Sequence, residues 1–111
     1  MKKITKEQLK ALKDTLEVFK MRKENPQKES KMTNGLNGIC LILAIKLGYI
    51  IYIEKTKIPS SIDLDKLSDT YPEMINELNL KQYKRDSIYS WHSKNNSYRI
   101  KFLTKWIKKY E

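Results

Sequence analysis

The chain holds one cysteine, one histidine, three glycines and three prolines among 111 residues, and each scarcity closes off a class of structure or chemistry. A lone Cys40 cannot form an internal disulfide, whereas a secreted domain this small usually needs several, so a cytosolic compartment is expected. With Cys40 and His92 the only thiol and imidazole, zinc held by two Cys and two His is excluded. A Cys-His nucleophilic pair would need the fold to join those two residues, and Cys40 lies in an apolar helical pattern where a thiol serves as packing. Few Gly and Pro argue against a many-turned β-sandwich or barrel. Asn34-Gly35-Leu36-Asn37-Gly38 lacks the spacing and the Lys-Ser/Thr ending of a phosphate-binding loop, and Asp63, Asp65 and Asp69 lack the Gly and terminal Glu of a calcium loop. No catalytic residue, metal site or cofactor is expected.

Long apolar runs are equally scarce. Leu36 to Ile53 spans 18 residues with Lys46 its only charge, but Asn37, Gly38 and Gly48 interrupt it at a length that barely crosses a bilayer. A buried core element is expected there, with no membrane partner. Met1-Lys2-Lys3-Ile4 starts like an export signal, yet Lys6, Glu7, Lys10 and Lys13 occupy the place of its apolar core.

What the chain has in quantity is positive charge. The net charge is +10, and 20 of the 23 basic residues are Lys. Lys, Ile, Asn and Tyr share A/T-rich codons, so part of this charge follows base composition. Its distribution does not: residues 1–31 carry +5, residues 32–53 carry +1, residues 54–80 carry −3 and residues 81–111 carry +7. Fixed positive charge gathers phosphate or an acidic protein face, and the C-terminal third dominates it.

Hydrophobic residues make up 40% of the chain, enough for one packed interior, so residues 1–111 form a single domain. Thr5-Lys6-Glu7-Gln8 fits a capping box, and Leu9, Leu12, Leu16 and Phe19 follow at helical spacing until Pro26. The stripe serves the core or a helical partner. Thr33-Asn34-Gly35 opens a second, central helix on Leu36, Ile39, Cys40, Leu43 and Leu47, closed by a left-handed Gly48. Tyr49 to Ile53 fits either a short strand, which would need a hidden or intersubunit partner, or a continuing helix. Ile58 to Ser61 reads as a turn, with Ser61 capping a short helix through Ile62, Leu64 and Leu67. Pro72 starts another, with Met74, Ile75 and Leu78 inward. Residues 81–96 read as an ordered loop, and Asn96 or Ser97 caps a final helix whose stripe is Ile100, Leu103, Ile107 and Tyr110, flanked by Phe102 and Trp106. The expected fold is mainly α: a small single-domain helical bundle of about four helices, with room for one short strand.

The last third interleaves Tyr89, Trp91, His92, Tyr98, Arg99, Phe102 and Trp106 with Lys94, Lys101, Lys105, Lys108 and Lys109. Rings stack on bases while cations meet phosphate. Tyr89, Trp91, Tyr98 and Trp106 are the expected stacking rings, and Lys94, Arg99, Lys101 and Lys105 the phosphate-neutralising set, with His92 beside them. The competing reading makes Trp91, Phe102 and Trp106 core and pairs Arg99 with a carboxylate from residues 63–77.

Gly38-Ile39-Cys40 opening an apolar helix, then Tyr71-Pro72, Tyr89-Ser90-Trp91 and Arg99-Ile100-Lys101-Phe102-Leu103, resembles a group of small uncharacterised phage and prophage accessory proteins over about residues 35–107. Ser90 and His92 stand where that group carries Trp and Pro. The resemblance implies a non-enzymatic accessory protein of the host cytoplasm that counters defence by sequestering a signal or blocking an effector. The basic chain favours capture of a nucleotide or nucleic acid. The alternative is an inhibitor that grips a host protein through a helical surface, and a homo-oligomer is compatible with both.

Overall fold

The computed structural model describes residues 1–24, 37–82 and 95–111. The protein is mainly α. Among the described residues five helices surround one core: α1 (Lys6–Glu24), α2 (Asn37–Leu47), α3 (Leu64–Thr70), α4 (Pro72–Gln82) and α5 (Asn95–Tyr110). A hairpin of β1 (Ile50–Tyr52) and β2 (Pro59–Ile62) lies between α2 and α3.

The capping box forms as the sequence dictates. The Thr5 N–H donates to Gln8 Oε1 at 2.9 Å and the Gln8 N–H donates to Thr5 Oγ1 at 3.1 Å, which satisfies two of the orphan donors at the start of α1. The stripe of α1 turns inward: Leu12 and Phe19 are sealed, with Ala11 and Thr15 beside them, while Leu9 and Leu16 lie at its margin. Thr15 is admitted to the interior because its hydroxyl donates to the Ala11 carbonyl at 2.7 Å. Packing within the domain therefore takes up this face.

α2 is the central helix. Ile39, Cys40, Ile42, Leu43 and Ala44 are all buried. It ends in a Schellman motif: the Tyr49 N–H donates to the Ala44 carbonyl at 2.8 Å and the Gly48 N–H to the Ile45 carbonyl at 3.3 Å, with Gly48 at φ +73°. This left-handed residue turns the chain into β1.

Of the two alternatives for Tyr49 to Ile53 the strand forms, over Ile50–Tyr52, and its partner is the segment that reads as a turn. β1 and β2 run antiparallel, with Ile50 opposite Ile62, Ile51 opposite Ser61 and Tyr52 opposite Pro59. Ser60 is the extra residue of a bulge, and its hydroxyl donates to the Ile51 carbonyl at 3.3 Å. Ser60 and Ser61 lack strand propensity, and Pro59 cannot donate to a ladder, so only tertiary pairing declares this strand. Because Ser61 is in β2, the cap of α3 moves to Asp63, whose Oδ1 accepts the Lys66 N–H at 3.0 Å. Leu64 consequently points outward, and Leu67 is the buried residue of α3. Tyr71 and Pro72 divide the following helical region into α3 and α4, and Met74, Ile75 and Leu78 form the buried face of α4.

α5 begins at Asn95, one residue before the expected caps, so Asn96 belongs to its first turn. α1 and α5 are antiparallel: Arg99 lies over Phe19, and at the other end Lys13 Nζ meets the Glu111 carboxylate at 3.3 Å. No described helix is long and apolar enough to cross a membrane. Helix α4 continues to Gln82, inside the expected 81–96 loop; the rest of that loop to Lys94, and the Thr33-Asn34-Gly35 opening of α2, lie outside the described residues.

Candidate anion-binding surface

One helix, α5, carries every candidate site residue the structure describes: Tyr98, Arg99, Lys101, Lys105 and Trp106. Tyr89, Trp91, His92 and Lys94 lie outside the described residues. The described candidates divide by helical angle into an inward and an outward set.

The inward set is a column of rings at intervals of four. Tyr98 stacks on Phe102 at 6.2 Å between centroids, Phe102 meets Trp106 at 6.4 Å, and Trp106 meets Tyr110 at 5.7 Å. Residues four apart on a helix are neighbours, so the column builds itself once α5 forms. Trp106 retains only 6% of its exposure, and its Nε1–H donates to Glu77 Oε2 on α4 at 2.6 Å. Tyr98 is half-buried. Arg99 is 1% exposed, with its guanidinium over the Phe19 ring at 5.1 Å and its Nη1 donating to Asn96 Oδ1 at 3.1 Å. Arg22 caps the same ring at 5.4 Å. Trp106 and Arg99 are thus interior groups, rather than a free ring face and an open guanidinium fork. The opposition of Arg99 to Phe19 crosses two distant segments; only Arg22, three residues from Phe19, was in local register to be read from the sequence.

The outward set is cationic. Lys101, Lys105, Lys108 and Lys109 follow one another by four, three and one residues, which places them on a single exposed face of α5. Lys105 Nζ is held by Glu77 at 2.6 and 2.8 Å from the two carboxylate oxygens, and it lies 5.5 Å from the Phe102 and Trp106 centroids. Lys109 Nζ sits 4.6 Å from the Trp106 centroid. The rings thereby orient the ammonium groups that cover them. Lys101, Lys108 and Lys109 enter no ion pair with a described residue. Lys108 and Lys109 join the face through the 3.6-residue period alone, a signal the sequence contains.

The other candidate chemistries sit elsewhere. Cys40 is sealed in α2, and burial pushes its thiol up to about 12, far from the thiolate a nucleophile needs. No cluster of three metal-ligating side chains occurs among the described residues. Tyr71 and Tyr110 meet edge-on at 5.9 Å, and burial, chiefly, raises both phenols above their ordinary range. Their hydroxyls are donors: Tyr71 to the Gln8 carbonyl at 2.7 Å and Tyr110 to Glu73 Oε2 at 3.1 Å.

Comparison with known proteins finds no matching family model, no matching curated protein and no matching solved structure.

Proposed function

We propose that this chain is a non-enzymatic, phage-type accessory protein of the host cytoplasm that binds a phosphate-bearing partner, with nucleic acid the favoured member of that class. One observation carries the reading: Lys101, Lys105, Lys108 and Lys109 share one exposed helical face, three of them without a carboxylate partner among the described residues. At about 1.5 Å per residue the face is about 12 Å long, which suits successive phosphates of a strand better than one enclosed nucleotide. The binding is then electrostatic and tolerant of sequence, with the buried ring column serving to hold the lysines in place. The sealed Cys40 supports the non-enzymatic part of the reading.

The test is fluorescence anisotropy with labelled single- and double-stranded oligonucleotides across a salt series. The unmodified protein should bind tightly at low salt and lose affinity steeply as salt rises. Lys101→Ala, Lys108→Ala and Lys109→Ala combined should flatten the log-log salt slope by about three, close to one unit for each phosphate no longer neutralised. An unchanged slope in the triple variant, or no binding by the parent at low salt, rejects the reading.

The alternative, an inhibitor that grips a host protein through a helical surface, would need a face other than the apolar stripe of α1, because Leu12 and Phe19 are already buried in the core.

A further inference from the structure

The exposed large apolar side chains gather on the hairpin and the helix ends beside it. Ile51, Tyr52, Ile53 and Ile58 are each between 46% and 58% exposed, and Ile45 and Leu64, from the adjoining ends of α2 and α3, are 60% and 50% exposed. Ile50 and Ile62 pack one side of the ribbon against the core, but the rest of it is exposed, and three or more strands are usual for a stable sheet.

The outer edge of β1 has no partner among the described residues. The Tyr49 carbonyl accepts the Asp63 N–H at 2.8 Å, and the Ile53 N–H donates to the Ile58 carbonyl at 2.9 Å, so the odd-numbered residues of this strand direct their backbone groups toward β2. The bulge is on β2, which leaves β1 regular. Ile50 and Tyr52 therefore turn their N–H and C=O groups away from β2, and no described residue takes them.

We propose that this edge pairs with the same edge of a second copy, β1 against β1 about a two-fold axis through Ile51, to make a continuous four-stranded sheet. Two features favour a second copy over another occupant. The edge is self-complementary: Ile50 of one copy and Tyr52 of the other exchange both backbone hydrogen bonds, and the reciprocal pair does the same on the far side of Ile51. The charge is permissive, because two chains of +10 repel least where they are least basic, and residues 45–64 carry only +1, with Lys46, Lys55 and Lys57 against Glu54 and Asp63. The area bounds the strength: with roughly 200 Å² for a fully exposed side chain of this size, complete burial of the six residues would take about 600 Å² per copy, so a total of about 1,200 Å², the lower limit of specific interfaces, is the ceiling and the dimer is a weak one. In this register Ile51 faces Ile51 of the other copy as a close, non-hydrogen-bonded pair.

Sedimentation equilibrium of the full chain, at salt high enough to screen the net charge, tests the pairing by charge exchange at the axis. The parent should dimerise reversibly at about 10–100 μM. Ile51→Lys and Ile51→Glu, at an exposed position, should each keep the parent's circular dichroism and lose self-association by more than about tenfold, because like charges then sit directly opposite. Mixed in equal amounts, the two variants should recover a 1:1 heterodimer. A parent that stays monomeric to several hundred micromolar overturns the proposal. A mixture that fails to associate, or variants that dimerise as the parent does, overturns it as well. Binding of a monomeric parent to phosphatidylcholine vesicles, abolished by Ile51→Lys, would overturn it in favour of a lipid surface.

Discussion

Gly48 shows how a single residue sets direction in this fold. Its φ of +73° lies in the left-handed region, and a Cβ built there would meet nothing within 4 Å. The requirement for glycine is therefore conformational rather than steric. Gly48→Ala should lower stability by about 1 kcal/mol, the cost of placing an L side chain in that region, without disturbing the neighbours. Urea unfolding checks the magnitude; a loss several times larger would mean that the turn into β1 had been rebuilt. The position was legible in the sequence because a glycine follows directly on the last residue of an apolar helical run. Arg99 was not: its burial depends on Phe19, 80 positions away, and no local pattern distinguishes a guanidinium that covers a ring from one that faces solvent.

At the scale of elements, the Glu77 carboxylate joins the middle of α5 to α4. Glu77 accepts the Trp106 Nε1–H at 2.6 Å and both hydrogen bonds from Lys105. Glu77→Ala leaves a buried indole N–H without this acceptor and frees the ammonium group, so stability should fall by about 2 kcal/mol. Trp106→Phe in the Glu77→Ala background should then cost less than it does in the parent, since the hydrogen bond is already gone, and a double-mutant cycle by thermal unfolding measures the difference. Equal costs in both backgrounds would show that the hydrogen bond contributes nothing. The helices themselves were readable from capping residues and periodicity: Thr5 with Gln8, Pro72 at the head of α4, and the inward positions Met74, Ile75 and Leu78. β2 was hidden because Pro59-Ser60-Ser61 has turn chemistry, and strand structure comes to it only through Ile51 and Tyr52 across the ladder. The ring column of α5 was present in the sequence as Tyr98, Phe102, Trp106 and Tyr110 at intervals of four. The same period assigns Lys101, Lys105, Lys108 and Lys109 to one face. What the period does not give is burial, and it is burial that separates rings that brace the helix from rings open to a base.

Across the whole molecule, charge is segregated and the N-terminal segment is tied down where acidic residues gather. The Lys2 N–H donates to Glu73 Oε1 at 2.8 Å, the Lys2 ammonium group meets the Asp69 carbonyl, and Tyr110 donates to the other Glu73 oxygen at 3.1 Å. Glu73 thus joins the start of the chain, α4 and the end of α5. The Lys2 backbone hydrogen bond, more than any other interaction, holds its carboxyl below the ordinary glutamate range. A group whose folded pKa is depressed contributes stability that is present above its unfolded value and is lost as pH falls through the folded one. Glu73→Gln should therefore be less stable than the parent at neutral pH, and the gap should start to close as pH falls below the ordinary glutamate value of about 4.3 and vanish only below the lower folded one, where the parent's carboxyl is neutral too. Asp14, lowered by its hydrogen bond from Lys10, is present in both proteins and cancels in the comparison. Chemical unfolding of the pair at several pH values measures the closure. A gap that is constant with pH would mean that Glu73 acts through its shape and neutral hydrogen bonds, and that the tether of the N-terminal segment owes nothing to ionisation.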